Sequence, residues 1–138
     1  MQRRPSRFMR YEKGCGRSSR YLLKDKEDLY GKAAAVFEDV RTGKETAIIL
    51  ESVLVECVYI LTKFYKVPRS EAADILTRFL GYKGIMNRDL RELTESLATF
   101  AGSTIDIVDC LLFVKARNYR LSLFTFDKKL AAKAKQPA

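Results

Sequence analysis

The chain contains no histidine and no tryptophan. Without histidine, Ser-His-Asp triads, His-ligated zinc and histidine-driven acid–base nucleases are excluded. Its three cysteines, Cys15, Cys57 and Cys110, are odd in number and widely spaced. That pattern excludes a disulfide framework and a paired-thiol metal site, and reduced thiols are expected. No apolar run approaches the roughly 20 residues needed to span a bilayer. The basic opening MQRRPSRFMR is not followed by the apolar stretch of a signal peptide. A cytoplasmic location is the expectation. Chemistry, if present, must come from carboxylates, hydroxyls, Lys, Tyr or Cys, and hard oxygen-liganded ions stay available.

What is there fits one globular domain. The chain has 138 residues, 47% of them hydrophobic and 31% charged. The net charge of +9 invites a nucleic-acid partner. Its distribution weakens that inference. Residues 1–20 carry +6 of it, which leaves the rest of the chain at +3. The Arg-rich start reads as a solvated arm.

From Arg20 onward the periodicity is regular. The spacing predicts a helix over 24–43, with Leu29, Ala33, Val36, Phe37 and Val40 on one face and Gly43 as C-terminal cap. TAIIL (46–50) is a short apolar run, as in a strand covered on both faces. A helix over 51–66 ends at Val67-Pro68, and another over 69–82 starts with Ser70 as N-cap. GIM (84–86) reads as a short strand. Asn87 is expected to cap a helix over 87–102. STIDIVDCLLFVKAR (103–117) is helical, YRLSLFTF (119–126) reads as a strand, and DKKLAAKAK opens a terminal helix. Strands alternating with helices of ten to fifteen residues indicate an α/β domain with a parallel sheet. Residues 1–19 fit neither pattern.

Four acids stand out. Asp109 falls within about 60° of Ile105, Leu112, Phe113 and Ala116 on a helical wheel, so it is placed on the apolar stripe. An unpaired buried carboxylate protonates, pairs with a base or binds a metal. No Lys or Arg stands three or four residues away to neutralise it. Asp106 occupies the N3 place of a capping box begun by Ser103, one turn from Asp109. Glu56 has Ser52, Val53, Tyr59 and Ile60 as helical neighbours and is also expected to look inward. Asp127, with Thr125 just before it, follows a predicted strand and opens a helix. There it is either an N-cap or a group at the sheet edge where ligands of open parallel sheets bind. Converging carboxylates repel one another, and a divalent cation removes that repulsion and activates water. Caps, core hydrogen bonds and a buried ion pair are the structural alternatives.

These residues carry a resemblance. Residues 20–135 resemble the PIN-domain ribonucleases, especially the toxins (VapC-type) of bacterial and archaeal virulence-associated toxin–antitoxin pairs. RYLLKDKEDLYGKA resembles the family's first helix, and ESVLVECVYILTKFY the motif carrying its second acid, at Glu56. IDIVDCLLFVKAR resembles the third-acid helix, which places that acid at Asp109. LFTFDKKL resembles the Thr/Ser-x-Asp ending, which places the fourth acid at Asp127 with Thr125 as companion. The resemblance implies a three-layer α/β sandwich, its mostly parallel sheet having four or five short strands with helices on both faces. It implies an endoribonuclease dependent on Mg2+ or Mn2+, often a homodimer, silenced by a cognate antitoxin. Catalytic and metal-binding roles fall on Glu56, Asp109 and Asp127, and accessory roles on Thr125 and Asp106. Lys63, Arg117 and Lys128, close to the acidic motifs in sequence, are candidates for holding RNA phosphates. The aromatics Tyr59, Phe64, Tyr65, Phe79 and Tyr82 are expected mainly in the core, with a dimer or antitoxin face as the alternative.

One departure is large. The family begins with an apolar strand ending in Asp-x-Asn/Ser, and counting back without a gap puts that Asp at Gly14. MRYEKGCGRSS is polar and glycine-rich, so the strand is missing as well. The division expected is a basic irregular segment over 1–19 and a PIN-like domain over 20–138. The abrupt edge is what a change of reading frame would produce. Loss of one ligand and one strand implies an impaired or inactive nuclease, the alternative being a scaffold that binds RNA or an antitoxin without turnover.

Overall fold

The computed structural model describes residues 19–135, with side chains from Asp28 onward. The expectations for residues 1–18, and for Cys15 among them, lie outside the described residues. The chain divides into two compact units.

The first unit joins the chain up to Ile48 to Tyr82–Met86. Its helix α1 (Ser19–Thr42) ends where the sequence places the end. Gly43 takes φ +83°, a left-handed conformation that glycine adopts without a Cβ penalty, and its N–H bonds Val40 O at 3.2 Å. Val40 is buried, while Leu29, Val36 and Phe37 of the predicted apolar face are exposed. After the helix, Ala47 forms a parallel β-bridge with Ile85. Ala47 N–H donates to Gly84 O and Met86 N–H to Ala47 O. Gly84 permits this close approach, because a Cβ there would collide with Glu45 O and lie 2.7 Å from Val40 O.

The second unit contains Ile49–Gly81 and the chain from Asn87 onward. Helix α2 (Glu51–Tyr59) passes into a π-helical turn at Ile60–Phe64, in which Tyr65 N–H reaches back to Ile60 O. Pro68 then stands just before α3 (Arg69–Leu80). Three helices follow: α4 (Leu90–Ala101), α5 (Ile107–Asn118) and α6 (Lys128–Ala134). Leu54, Val58, Leu76, Leu80, Leu93, Leu97, Phe100, Ile107 and Leu111 make one continuous core. Each full burial of such a side chain stabilises by roughly 1.5–3 kcal/mol. Lys115 ties three helices together, bonding Glu51 at 2.9 Å and Glu92 at 3.2 Å.

Several caps differ from expectation. Asn87 does not cap α4, whose N-cap is Asp89. Its amide instead pairs with Ile49, accepting the N–H at 2.8 Å and donating to the carbonyl at 2.7 Å, as a neighbouring strand would. Asp106 is itself the N-cap of α5, accepting from Val108 N–H, in place of a box begun by Ser103. Pro68 takes the place expected of Ser70. Phe64 and Tyr65 are exposed, contrary to a core role.

The largest difference concerns the sheet. Among the described residues the only β pairing is the Ala47–Ile85 bridge. The 119–126 segment forms no ladder, and its Phe124 and Phe126 are 82% and 92% exposed. A strand needs a neighbour to take up its N–H and C=O groups. The sequence ahead of α1 offers no apolar run to serve as one. No helix among the described residues is long and apolar enough to cross a membrane.

Candidate active site

Asp109 stands in the first turn of α5. The buried side of that helix is formed by Ile107, Cys110, Leu111 and Val114. Asp109 lies about 150° round the helix from the centre of this stripe. It is half-buried, so the expectation of a carboxylate on the core stripe is corrected: it shares a flank with Phe113 and Ala116. There it has no hydrogen bond or ion pair with any described residue. Burial, then the charge of Asp127, then that of Asp106, hold its carboxyl above the usual carboxylate range.

Asp127 is brought to the same neighbourhood as the N-cap of α6. Its Oδ1 accepts from Leu130 N–H at 2.8 Å. Its own N–H donates to Thr125 Oγ1 at 3.0 Å, so the threonine fixes the turn that presents the acid. The cap uses Oδ1 alone, so it does not by itself exclude a further partner for the other carboxylate oxygen.

Asp106 is the second acid that Asp109 senses. Its Oδ1 accepts from Val108 N–H at 3.0 Å and from the hydroxyl of Tyr59 at 2.7 Å. The hydrogen bond to Asp106, with burial and the charges of Asp106 and Asp109 behind it, pushes Tyr59 up to about 12. Lys63 Nζ lies 4.4 Å from the centre of the Tyr59 ring. Tyr59, which the sequence reading set among the core aromatics, is thus half-buried and tied to Asp106. The available signal was its place three residues after Glu56, on an adjoining helical face.

Glu56 behaves otherwise. The buried residues of α2 are Leu54 and Val58, and Glu56 projects from the far side, exposed to solvent. The expectation that it faces inward is corrected by that register. Asp109 lies within electrostatic reach of both Asp127 and Asp106, and no interaction joins Glu56 to them. Among the described residues, no three Cys, Asp or Glu side chains could hold a metal ion together. A closed cage of protein ligands is therefore not what these residues fit. Two carboxylates that repel each other, one of them unpartnered, do fit a hard ion such as Mg2+, which keeps several waters and takes one or two protein carboxylates.

The basic candidates divide. Arg117 Nη2 pairs with Glu95 Oε2 at 3.0 Å, on an exposed face. Lys63 is exposed and lies over the Tyr59 ring. Lys128 is exposed in the first turn of α6. A cleft of about 490 Å³ at the start of α4 is lined by Arg88, Asp89, Arg91, Glu92, Asn118 and Tyr119. It holds none of Asp106, Asp109 and Asp127, and two of its charges are met by ion pairs, Arg91 with Glu95 and Glu92 with Lys115.

Residues 20–136 match the sequence profile of the PIN domain. No curated protein matches the chain, and no solved structure does.

Proposed function

The chain belongs to the PIN-domain family, and on that premise we propose that it is a metal-dependent endoribonuclease centred on Asp109 and Asp127. PIN domains have an α/β fold, are in general nucleases that use divalent metals such as Mg2+ or Mn2+, and act on RNA. The observation that carries the reading to these residues is the unpartnered Asp109 carboxylate, held half-buried against the charge of Asp127. Asp109 and Asp127 are the residues that would hold the ion, which supplies activation of water and neutralises charge building on a phosphodiester. Thr125 fixes the backbone of Asp127, and Tyr59 fixes Asp106 beside them. Glu56 joins as a ligand only if substrate or metal draws its side chain inward.

Turnover in this account is slow. The family's first acid has no counterpart at Gly14, and a two-carboxylate site binds its ion more weakly than a larger set does. The missing ligand also favours a second reading, a PIN scaffold that retains RNA or an antitoxin without cleaving. The finer assignment is a toxin of a toxin–antitoxin pair, homodimeric and cytoplasmic, with its domain over 20–138 and a frame-altered segment over 1–19. Incubating the full chain with a mixed single-stranded RNA pool and Mg2+ or Mn2+, beside Asp109→Asn, tests the proposal. Slow, metal-dependent cleavage that Asp109→Asn abolishes is the expected result. Retained RNA with no cleavage under any metal favours the scaffold. Cleavage indifferent to both EDTA and Asp109→Asn rejects the site.

A further inference from the structure

Between α5, the 121–125 segment and α6 lies a cleft of about 640 Å³. Phe113 stands in it, half-buried, with Arg117 Cζ 5.7 Å and Lys133 Nζ 5.4 Å from its ring centre. Lys135 is a third cation on the lining, Ser122 and Thr125 supply hydroxyls, and no acidic residue contributes. Like charges gathered on one aromatic ring repel each other, and an anion seated between them relieves that repulsion. Arg117 is partly satisfied by Glu95, whereas Lys133 has no ion pair among the described residues.

The position of this cleft gives it a ligand. Phe113 follows Asp109 by four residues on one helical face, and Arg117 follows Phe113 by four more, about 6 Å of helix rise at each step. On the other wall, Thr125 is the residue whose hydroxyl accepts the Asp127 N–H. A polymer entering from the carboxylates therefore meets an aromatic face and then two cations. We propose that this cleft seats one nucleotide of a single-stranded RNA beside the scissile phosphodiester, its base stacked on Phe113 and its phosphate between Arg117 and Lys133. An aromatic platform bordered by cations is how single strands are held without sequence preference. A volume of this size lies within the range of ligand clefts. The proposal rests on the nuclease reading for its ligand, an RNA strand, and for the scissile phosphodiester beside it.

Fluorescence anisotropy with a labelled oligouridine of about eight nucleotides, in EDTA so that cleavage plays no part, tests it. Phe113→Leu keeps the apolar volume and removes the ring, and the expected result is binding weakened by about 5- to 100-fold. Phe113→Tyr retains binding. Lys133→Gln lowers the slope of log affinity against log salt by about 0.7. Thermal melts establish that each variant is folded, and if Phe113→Leu is not, the Lys133→Gln salt slope decides alone. Equal binding by wild type, Phe113→Leu and Lys133→Gln overturns the proposal. So does binding that Phe113→Leu leaves intact and polyglutamate displaces, which marks a general anion patch. Asp109→Asn separates the two readings. If it abolishes cleavage while the cleft variants bind RNA normally, the nuclease stands and the subsite falls. If the cleft variants lose RNA while Asp109→Asn still cleaves, the subsite stands and the carboxylate site falls.

Discussion

Replacing Tyr59 by Phe removes one oxygen and tests how Asp106 is held. The hydroxyl donates to Asp106 Oδ1 at 2.7 Å. A hydrogen bond to a charged acceptor contributes about 1.5–3 kcal/mol. Both partners are only half-buried, and Asp106 Oδ1 keeps its bond from Val108 N–H, so the lower end applies. The expected loss is about 1–1.5 kcal/mol, or roughly 3–6 °C in Tm for a domain of this size. The pH dependence gives a sharper signature. The bond exists only while Tyr59 is protonated, and its pKa is raised in the folded state to about 12. A raised folded-state pKa contributes stability that is complete below the unfolded value, about 10 for tyrosine, and is lost as pH rises through the folded one. Wild type and Tyr59→Phe should therefore differ most at pH 8 and converge towards pH 12. Urea midpoints of both proteins across that range make the comparison, since every other titrating group is common to the two. Equal stability at pH 8, or a difference that stays constant to pH 12, refutes the bond.

Asp109→Asn should raise the melting temperature in EDTA at pH 7. Burial and the charges of Asp127 and Asp106 raise the folded-state pKa of Asp109, so its contribution is present below the ordinary aspartate range and lost as pH rises. The gain from Asn shrinks towards pH 4, and a lower melting temperature at pH 7 would instead reveal a missing ion-pair partner. Arg69→Leu should cost about 2–3 kcal/mol in a urea titration. The guanidinium donates to Phe100 O at 2.9 Å and to Ile105 O, and lies 3.7 Å from the Phe100 ring centre. It thereby clamps the turn that leads to Asp106, and an unchanged midpoint would show that the clamp carries no load.

Helix periodicity located every described helix, because apolar residues recur at i, i+3 and i+4 whether or not packing buries them, as the exposed Leu29, Val36 and Phe37 of α1 show. Gly43 was legible for the same local reason, a left-handed cap that glycine takes readily. Strands were not legible in this way. TAIIL and LSLFTF have strand composition, yet a ladder depends on a neighbour elsewhere in the chain, and among the described residues only Ala47 and Ile85 pair. For the site, the stretch around Asp109 read correctly as unusual, with the wrong angle. Leu112 and Phe113 suggested the core direction, whereas Ile107, Cys110 and Val114 occupy it. Glu56 was misread similarly, since Val53 and Ile60 are themselves exposed. Tyr59 was hidden because a tyrosine on a helix looks the same whether its hydroxyl meets solvent or a carboxylate 47 residues later.

The central claim is that Asp109 and Asp127 share a cation. Calorimetric titration of the full chain with Mn2+ measures this directly, beside folded Asp109→Asn and Asp127→Asn. One weak site per chain, lost in each variant, is the result predicted. Mn2+ uptake of equal strength in all three proteins would contradict it.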